Sequence, residues 1–276
     1  MTYATLMVHL EVGRSNAGLL KLTADLAEQF RASVIGIAAR QPMQIIYADA
    51  YVSGSLIDWD RKEIEKEIKT AELEFRNALQ SRVADLEWRS TVTIEPLTGY
   101  LAREARGADL VITGVDQGGS LFDPTKSVNI SDFVMDAGRP VLVAPIAAEE
   151  LKLDKAIIAW KDSCETRRAI SSALPLLKKI AHVTVLEIAS EEELDAARAG
   201  LKDVVGWLRR HNVMADSLAA PSTGDTAIQL AAIIEEQATD IVIAGAYGHS
   251  RLREWILGGV TRDLLLRPKR CSLISH

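Results

Sequence analysis

The chain has 276 residues, 48% of them hydrophobic and 25% charged. That is an ordinary globular balance, and the length suits two domains of about 130 to 150 residues. A formal net charge of −6 argues against a nucleic-acid or anionic-membrane partner, because phosphate binding usually needs a basic face. No run approaches the roughly 18 apolar residues of a membrane helix. The first residues run straight into a strand with no basic leader, and Cys164 and Cys271 are isolated thiols without a CxxC. The expectation is a cytoplasmic protein.

In chain order, Leu6–Leu10 reads as a strand and Gly13–Phe30 as an amphipathic helix, apolar at Leu19, Leu20, Leu22, Leu26 and Ala27. Ala32–Ala39 is a near-continuous apolar run, as a strand covered on both faces should be. Residues 40–60 carry Tyr47, Tyr51 and Trp59 and match neither period. Asp60–Leu86 reads as a long charged helix, Ser90–Glu95 as a strand and Leu101–Arg106 as a short helix. A strand from Asp109, a glycine-bearing loop, a helix at Ile130–Met135 and a strand from Pro140 follow.

Residues 146–154 read as a linker, after which the order repeats. Strands are expected at Lys155–Trp160, His182–Ile188, Val213–Ala219, Asp240–Gly245 and Cys271–Ser275. Helices are expected at Glu165–Ile180, Glu191–His211, Thr226–Glu236 and about Trp255–Leu266, the third capped by Asp225. The clearest internal match is Asp109-Leu-Val-Ile-Thr-Gly114 against Asp240-Ile-Val-Ile-Ala-Gly245. Strands alternating with helices imply α/β architecture: two tandem Rossmann-like domains, residues 1–146 and 152–276, each a five-stranded parallel sheet with helices on both faces. Glu11 lies 151 residues before Asp162, but Asp109 only 131 before Asp240, so the first copy carries about 20 extra residues near 40–60. That insertion reads as a lid over a ligand, a surface meeting the other domain, or a self-packed loop.

The chemistry concentrates in Gly245-Ala-Tyr-Gly248-His249-Ser250, running on to Gly258-Gly259-Val260-Thr261. The segment leaves the carboxyl end of a parallel strand and enters a helix, the edge where open α/β sheets bind ligands. Glycines let backbone approach an anion, and a helix N-terminus offers free N–H groups. Arg251 and Arg253 add charge or serve as solvated surface. Walker A, HExxH and GxSxG patterns are missing. The five histidines, His9 and His249 among them, have no metal-ligand spacing, and Ser163 with His249 lacks a third triad member.

The spacing Gly-x2-Gly-x9-Gly, met by Gly245, Gly248 and Gly258, resembles the nucleotide loop of the universal stress protein family, and strand and helix order resemble it over the whole chain. The resemblance implies an adenine-nucleotide-hydrolase-like Rossmann fold and a stress-response protein binding ATP with magnesium in its second domain. It places Asp162 beside adenine and ribose, although Asp162 or Ser163 would equally cap the following helix. It places a Ser or Thr where this chain has Gly259. A hydroxyl bond to a charged phosphate is worth roughly 1.5–3 kcal/mol, one to two orders of magnitude in affinity. The backbone N–H remains there, and Thr261 is the nearest substitute hydroxyl. The first copy departs further: Gln117 replaces the second glycine, Asp116 and Asp123 are acidic, and Glu11 stands for the Asp. It reads as non-binding or as holding a different ligand. No general base is identifiable, so at most slow ATP hydrolysis is expected. The resemblance also implies that the strands at 140–144 and 271–275 pair within one molecule as a pseudo-dimer, with a homodimer as a further association. The competing readings are a nucleotide-free scaffold for protein partners and a small-molecule binder using residues 40–60.

Overall fold

A computed structural model describes residues 2–43, 54–115, 127–145, 148, 150–246 and 270–276. In the first half these form β1 (Thr5–His9), α1 (Ala17–Phe30), β2 (Ser33–Arg40), α2 (Gly54–Leu79), β3 (Leu86–Val92), α3 (Leu97–Glu104), β4 (Leu110–Val115), α4 (Ile130–Asp136) and β5 (Val141–Pro145). The second half has β6 (Lys155–Ala159), α5 (Cys164–Leu177), β7 (His182–Ala189), α6 (Leu194–Arg210), β8 (Ala215–Pro221), α7 (Thr226–Glu236), β9 (Ile241–Gly245) and β10 (Cys271–Ser275). The helix expected at 255–266 lies outside the described residues.

The ten strands among the described residues form one sheet in the order β3-β2-β1-β4-β5-β10-β9-β6-β7-β8. Each half is parallel, and the two join where β5 and β10 pair antiparallel, with Leu142 opposite Leu273. The expected pairing of the strands at 140–144 and 271–275 is therefore present within one chain. Apolar residues on both sides of the central strands follow from helices on both faces. On one face α1, α2, α5 and α6 bury a single cluster that crosses the seam, from Leu20 and Phe75 to Leu174 and Leu208. There Tyr3 Oη donates to the Ser172 carbonyl at 2.8 Å, and the Lys179 ammonium lies 5.0 Å from the centre of the Phe30 ring. On the other face α3 and α4 cover the first half and α7 the second.

The repeated aspartates do the same work in both copies. Asp109 Oδ2 accepts from the amides of Ala4 and Thr5, at 2.7 and 3.0 Å; Asp240 Oδ2 accepts from Asp154 and Lys155, at 3.2 and 2.9 Å. Each carboxylate satisfies the amide donors entering the first strand of its half.

Several expectations shift: the short helix expected at Leu101–Arg106 runs Leu97–Glu104, and the strand expected at Val213–Ala219 runs Ala215–Pro221. The first helix starts at Ala17 rather than Gly13, because Gly13 is left-handed (φ +82°) and Asn16 knots the loop, its Oδ1 accepting from Glu11 N and its Nδ2 donating to the carbonyls of Glu11 and Arg14. The long helix starts at Gly54 and stops at Leu79, so β3 begins at Leu86, four residues before the expected Ser90. Trp88 is the reason for the early strand: its ring centre lies 5.5 Å from that of Phe75, over Gly36, whose added Cβ would come within 2.8 Å of both rings. Register also replaces the match of Glu11 with Asp162. Leu6 pairs Leu110 as Ala156 pairs Ile241, which aligns Glu11 with Lys161 when counted from the strand. Counted back from the helix caps, Asn16 and Ser163, Asp162 matches Ser15. The first loop is three residues longer, and Glu11 is not the counterpart of Asp162.

Candidate functional site

The strand order reverses between β1 and β4 in the first half and between β6 and β9 in the second. The carboxyl ends at such reversals are where α/β sheets receive ligands.

In the second half, Ala159 at the end of β6 pairs with Ala244 of β9, and Gly245 follows. Nothing larger than a methyl group projects from these positions, while Trp160 packs against the main core. Gly245 lies tight on the start of α5. A Cβ there would be 2.5 Å from the Thr166 amide nitrogen, so only glycine lets β9 run beside that helix end. Ser163 caps the helix, its Oγ accepting from Thr166 N at 3.3 Å. That releases Asp162 from capping. Its side chain is 70% exposed, and Oδ1 accepts from Arg167 Nη2 at 2.7 Å and Nε at 3.0 Å. Partial burial first, then the charges of Asp162 and Glu193, push the Glu187 carboxyl of β7 above its usual range. The exposed Cys164 thiol donates to Glu165 Oε1 at 3.0 Å, the first cause of the low Glu165 pKa.

Of the residues expected to form the site, the described ones are Asp162, in the loop between β6 and α5, and Gly245, the last residue of β9. Gly248, His249, Ser250, Gly258, Gly259, Val260 and Thr261 lie outside the described residues, as do Arg251 and Arg253. Among the described residues no three His, Cys, Asp or Glu side chains are grouped to hold a metal.

The corresponding edge of the first half is filled by its own side chains. His9 and Thr113 stand where the second half has Ala159 and Ala244, their Nδ1 and Oγ1 hydrogen-bonded at 3.1 Å. Burial pushes the His9 imidazole down to about 4, so it is neutral near pH 7. Arg40 occupies the register position of Ala189; its Nη1 donates to the Val12 carbonyl at 2.7 Å and lies 3.5 Å from Glu67. Ile64 and Ile68 of α2 pack on Val12 and Ala38 and roof this edge. At α4, Asn129 Oδ1 takes the amides of Ser131 and Asp132, at 3.0 and 3.2 Å, the donors an anion would seek. Glu11 pairs with Arg14 at 3.5 Å. Sequence reasoning missed Arg40 and Asn129; an Asn one residue before an apolar helical stretch was the available signal for the cap.

No protein-family model matches the sequence, and no curated relative does. Solved structures do match. A universal stress protein from Archaeoglobus fulgidus DSM 4304 superposes with a TM-score of 0.75 at 14% identity, covering 99% of this chain and 98% of that one. A protein of unknown function from Pseudomonas aeruginosa PAO1 gives 0.61 at 11% identity, covering 99% and 92%. Over essentially its whole length, the chain has the fold of a universal stress protein.

Proposed function

We propose that the chain is a stress-response protein of the universal stress type that binds an adenine nucleotide, ATP with magnesium, in its second half. The observation that carries this reading is the contrast between the two switch points: methyl groups and a glycine at Ala159, Ala244 and Gly245, against His9, Thr113, Arg40 and Asn129 in the first half. In this reading Asp162 accepts a hydrogen bond from a ribose hydroxyl or the adenine amine. Gly245, Gly248, His249, Ser250, Gly258, Gly259, Val260 and Thr261 cradle the phosphates through their backbone N–H groups. Residues 1–146 then form a non-binding copy and residues 152–276 the binding one. The free thiols of Cys164 and Cys271 suit a reducing, cytoplasmic setting. A nucleotide-free scaffold is the competing reading, favoured by Gly259 and by the filled first half.

Calorimetric titration with ATP and magnesium tests this, beside Gly248→Asp and Asp162→Ala variants. Micromolar binding is expected in the wild type, abolished by Gly248→Asp and weakened about tenfold by Asp162→Ala, which removes one hydrogen bond to a charged group. No heat from a folded wild-type chain would overturn the nucleotide reading.

A further inference from the structure

The sheet ends differently at its two edges, β3 on one side and β8 on the other. These strands are counterparts in the repeat: Leu86 pairs with Val34 of β2 as Ala215 pairs with Val183 of β7. Val34 N donates to the Asp85 carbonyl, and Val183 N to the Met214 carbonyl. Alternation along each strand then turns the backbone groups of Leu86, Trp88, Ser90 and Val92 away from β2, and those of Ala215, Ser217, Ala219 and Pro221 away from β7. β8 is guarded at both ends. Arg209 Nε and Nη2 donate to the outward Ala215 carbonyl at 3.1 and 2.9 Å, and Pro221 has no N–H to offer. On β3 the same register positions are Leu86 and Val92, and neither device is present among the described residues. The nearest arginine, Arg89, is held by Glu87 at 2.7 Å and by Glu104 at 2.8 Å. Among the described residues β3 has a neighbour on one side only, and none of its residues is buried. An edge left open in this way is a template for another strand.

We infer that β3 is the docking edge for a second copy of this chain, the two β3 strands pairing antiparallel about a two-fold axis through Trp88. Charge selects both the occupant and the register. With Trp88 opposite the partner's Trp88, the outward groups of Leu86 face those of the partner's Ser90, as an antiparallel ladder requires. Glu87 then lies opposite the partner's Arg89, and the symmetry makes that pair twice. The registers on either side set Glu87 against the partner's Glu87, or Arg89 against the partner's Arg89, and like charges directly opposite are unfavourable. The edge is thus complementary to itself in one register. This surface lies away from both switch points and is independent of the nucleotide reading.

Sedimentation equilibrium of the full chain tests this, and the wild type is expected to be a dimer at micromolar concentration. Ser90→Pro removes an N–H that the ladder with β2 does not use, on a residue with no side-chain bond to lose, so the chain still folds. By symmetry the dimer loses two backbone bonds, and its dissociation constant should rise about thirtyfold. Glu87→Arg and Arg89→Glu each set like charges across the axis, so each variant alone should sediment as a monomer. Mixed together they restore both pairs and should recover the dimer. Circular dichroism checks that each variant is folded; if Arg89→Glu unfolds for want of its bond to Glu104, Ser90→Pro decides. A monomeric wild type, a dimer that Ser90→Pro leaves as tight, or folded charge variants that stay monomeric on mixing overturns the inference.

Discussion

Thr239 sits just before β9, 3% exposed, and its buried hydroxyl oxygen has no hydrogen-bond partner among the described residues. Its backbone is satisfied: the amide donates to Ile234 O at 3.1 Å, and the carbonyl accepts from Arg270 Nη1 at 2.6 Å. The repeat supplies an internal control, because the matching position of the first half is Ala108, 2% exposed and wholly apolar. An unmade bond from a buried hydroxyl costs about 1–3 kcal/mol, whereas exchanging the group for a methyl of the same shape adds burial at about 0.8 kcal/mol per carbon. Thr239→Val should therefore stabilise the chain by at least ~1 kcal/mol, raising Tm by roughly 2–4 °C for a protein of this size. Thr239→Ala removes the hydroxyl and a methyl together, and the two changes should nearly cancel. Denaturant unfolding of the three proteins reads this as a rise in midpoint at constant slope for the Val variant. A midpoint at or below wild type would refute the reasoning and mean that the hydroxyl has a partner, such as a buried water.

Two further expectations follow from the titrating groups. His9 has an imidazole pKa of about 4 in the fold against 6.5 in a free chain, so the fold favours the neutral ring. Its contribution is complete above pH 6.5 and is lost as pH falls toward 4, on the order of 3 kcal/mol in all. His9→Gln, which keeps a bond to Thr113, should flatten the stability profile between pH 6.5 and 4; an unchanged profile would show that His9 does not carry it. The two thiols should also separate: burial raises Cys271 to about 12, while Cys164 is exposed. A thiol-specific disulfide reagent should then label one cysteine rapidly in the native protein and the second only on unfolding, and two fast equivalents would contradict the burial.

The repeat carried most of the fold in plain view. Asp109 and Asp240 marked the same strand entry twice, and the apolar runs at β1, β2, β4, β9 and β10 were legible because strands covered on both faces need continuous hydrophobicity. β3 was harder, since a half-exposed edge strand such as Leu86–Val92 has a weak pattern and its start was set by Trp88 packing on Phe75. Asp162 was expected either beside a nucleoside or as the cap of α5, and the cap depended on which side chain reached Thr166 N: Ser163 does, while Asp162 pairs with Arg167. The filling of the first half was the least legible part. Arg40 reaches back to Val12 across 28 positions, and nothing local in the sequence marks where a long side chain will end.

The antiparallel seam has a temporal side. β5 is finished at Pro145, but its partner β10 begins only at Cys271. At about 5–20 residues per second of synthesis, the first half waits roughly 6 to 25 seconds with β5 paired to β4 on one side and its other edge open. A β5 edge of a neighbouring nascent chain offers the same surface during that interval. Crowded polysomes are thus where the β5 edge is most exposed to a neighbouring chain, and capture of β10 by its own chain is what closes it.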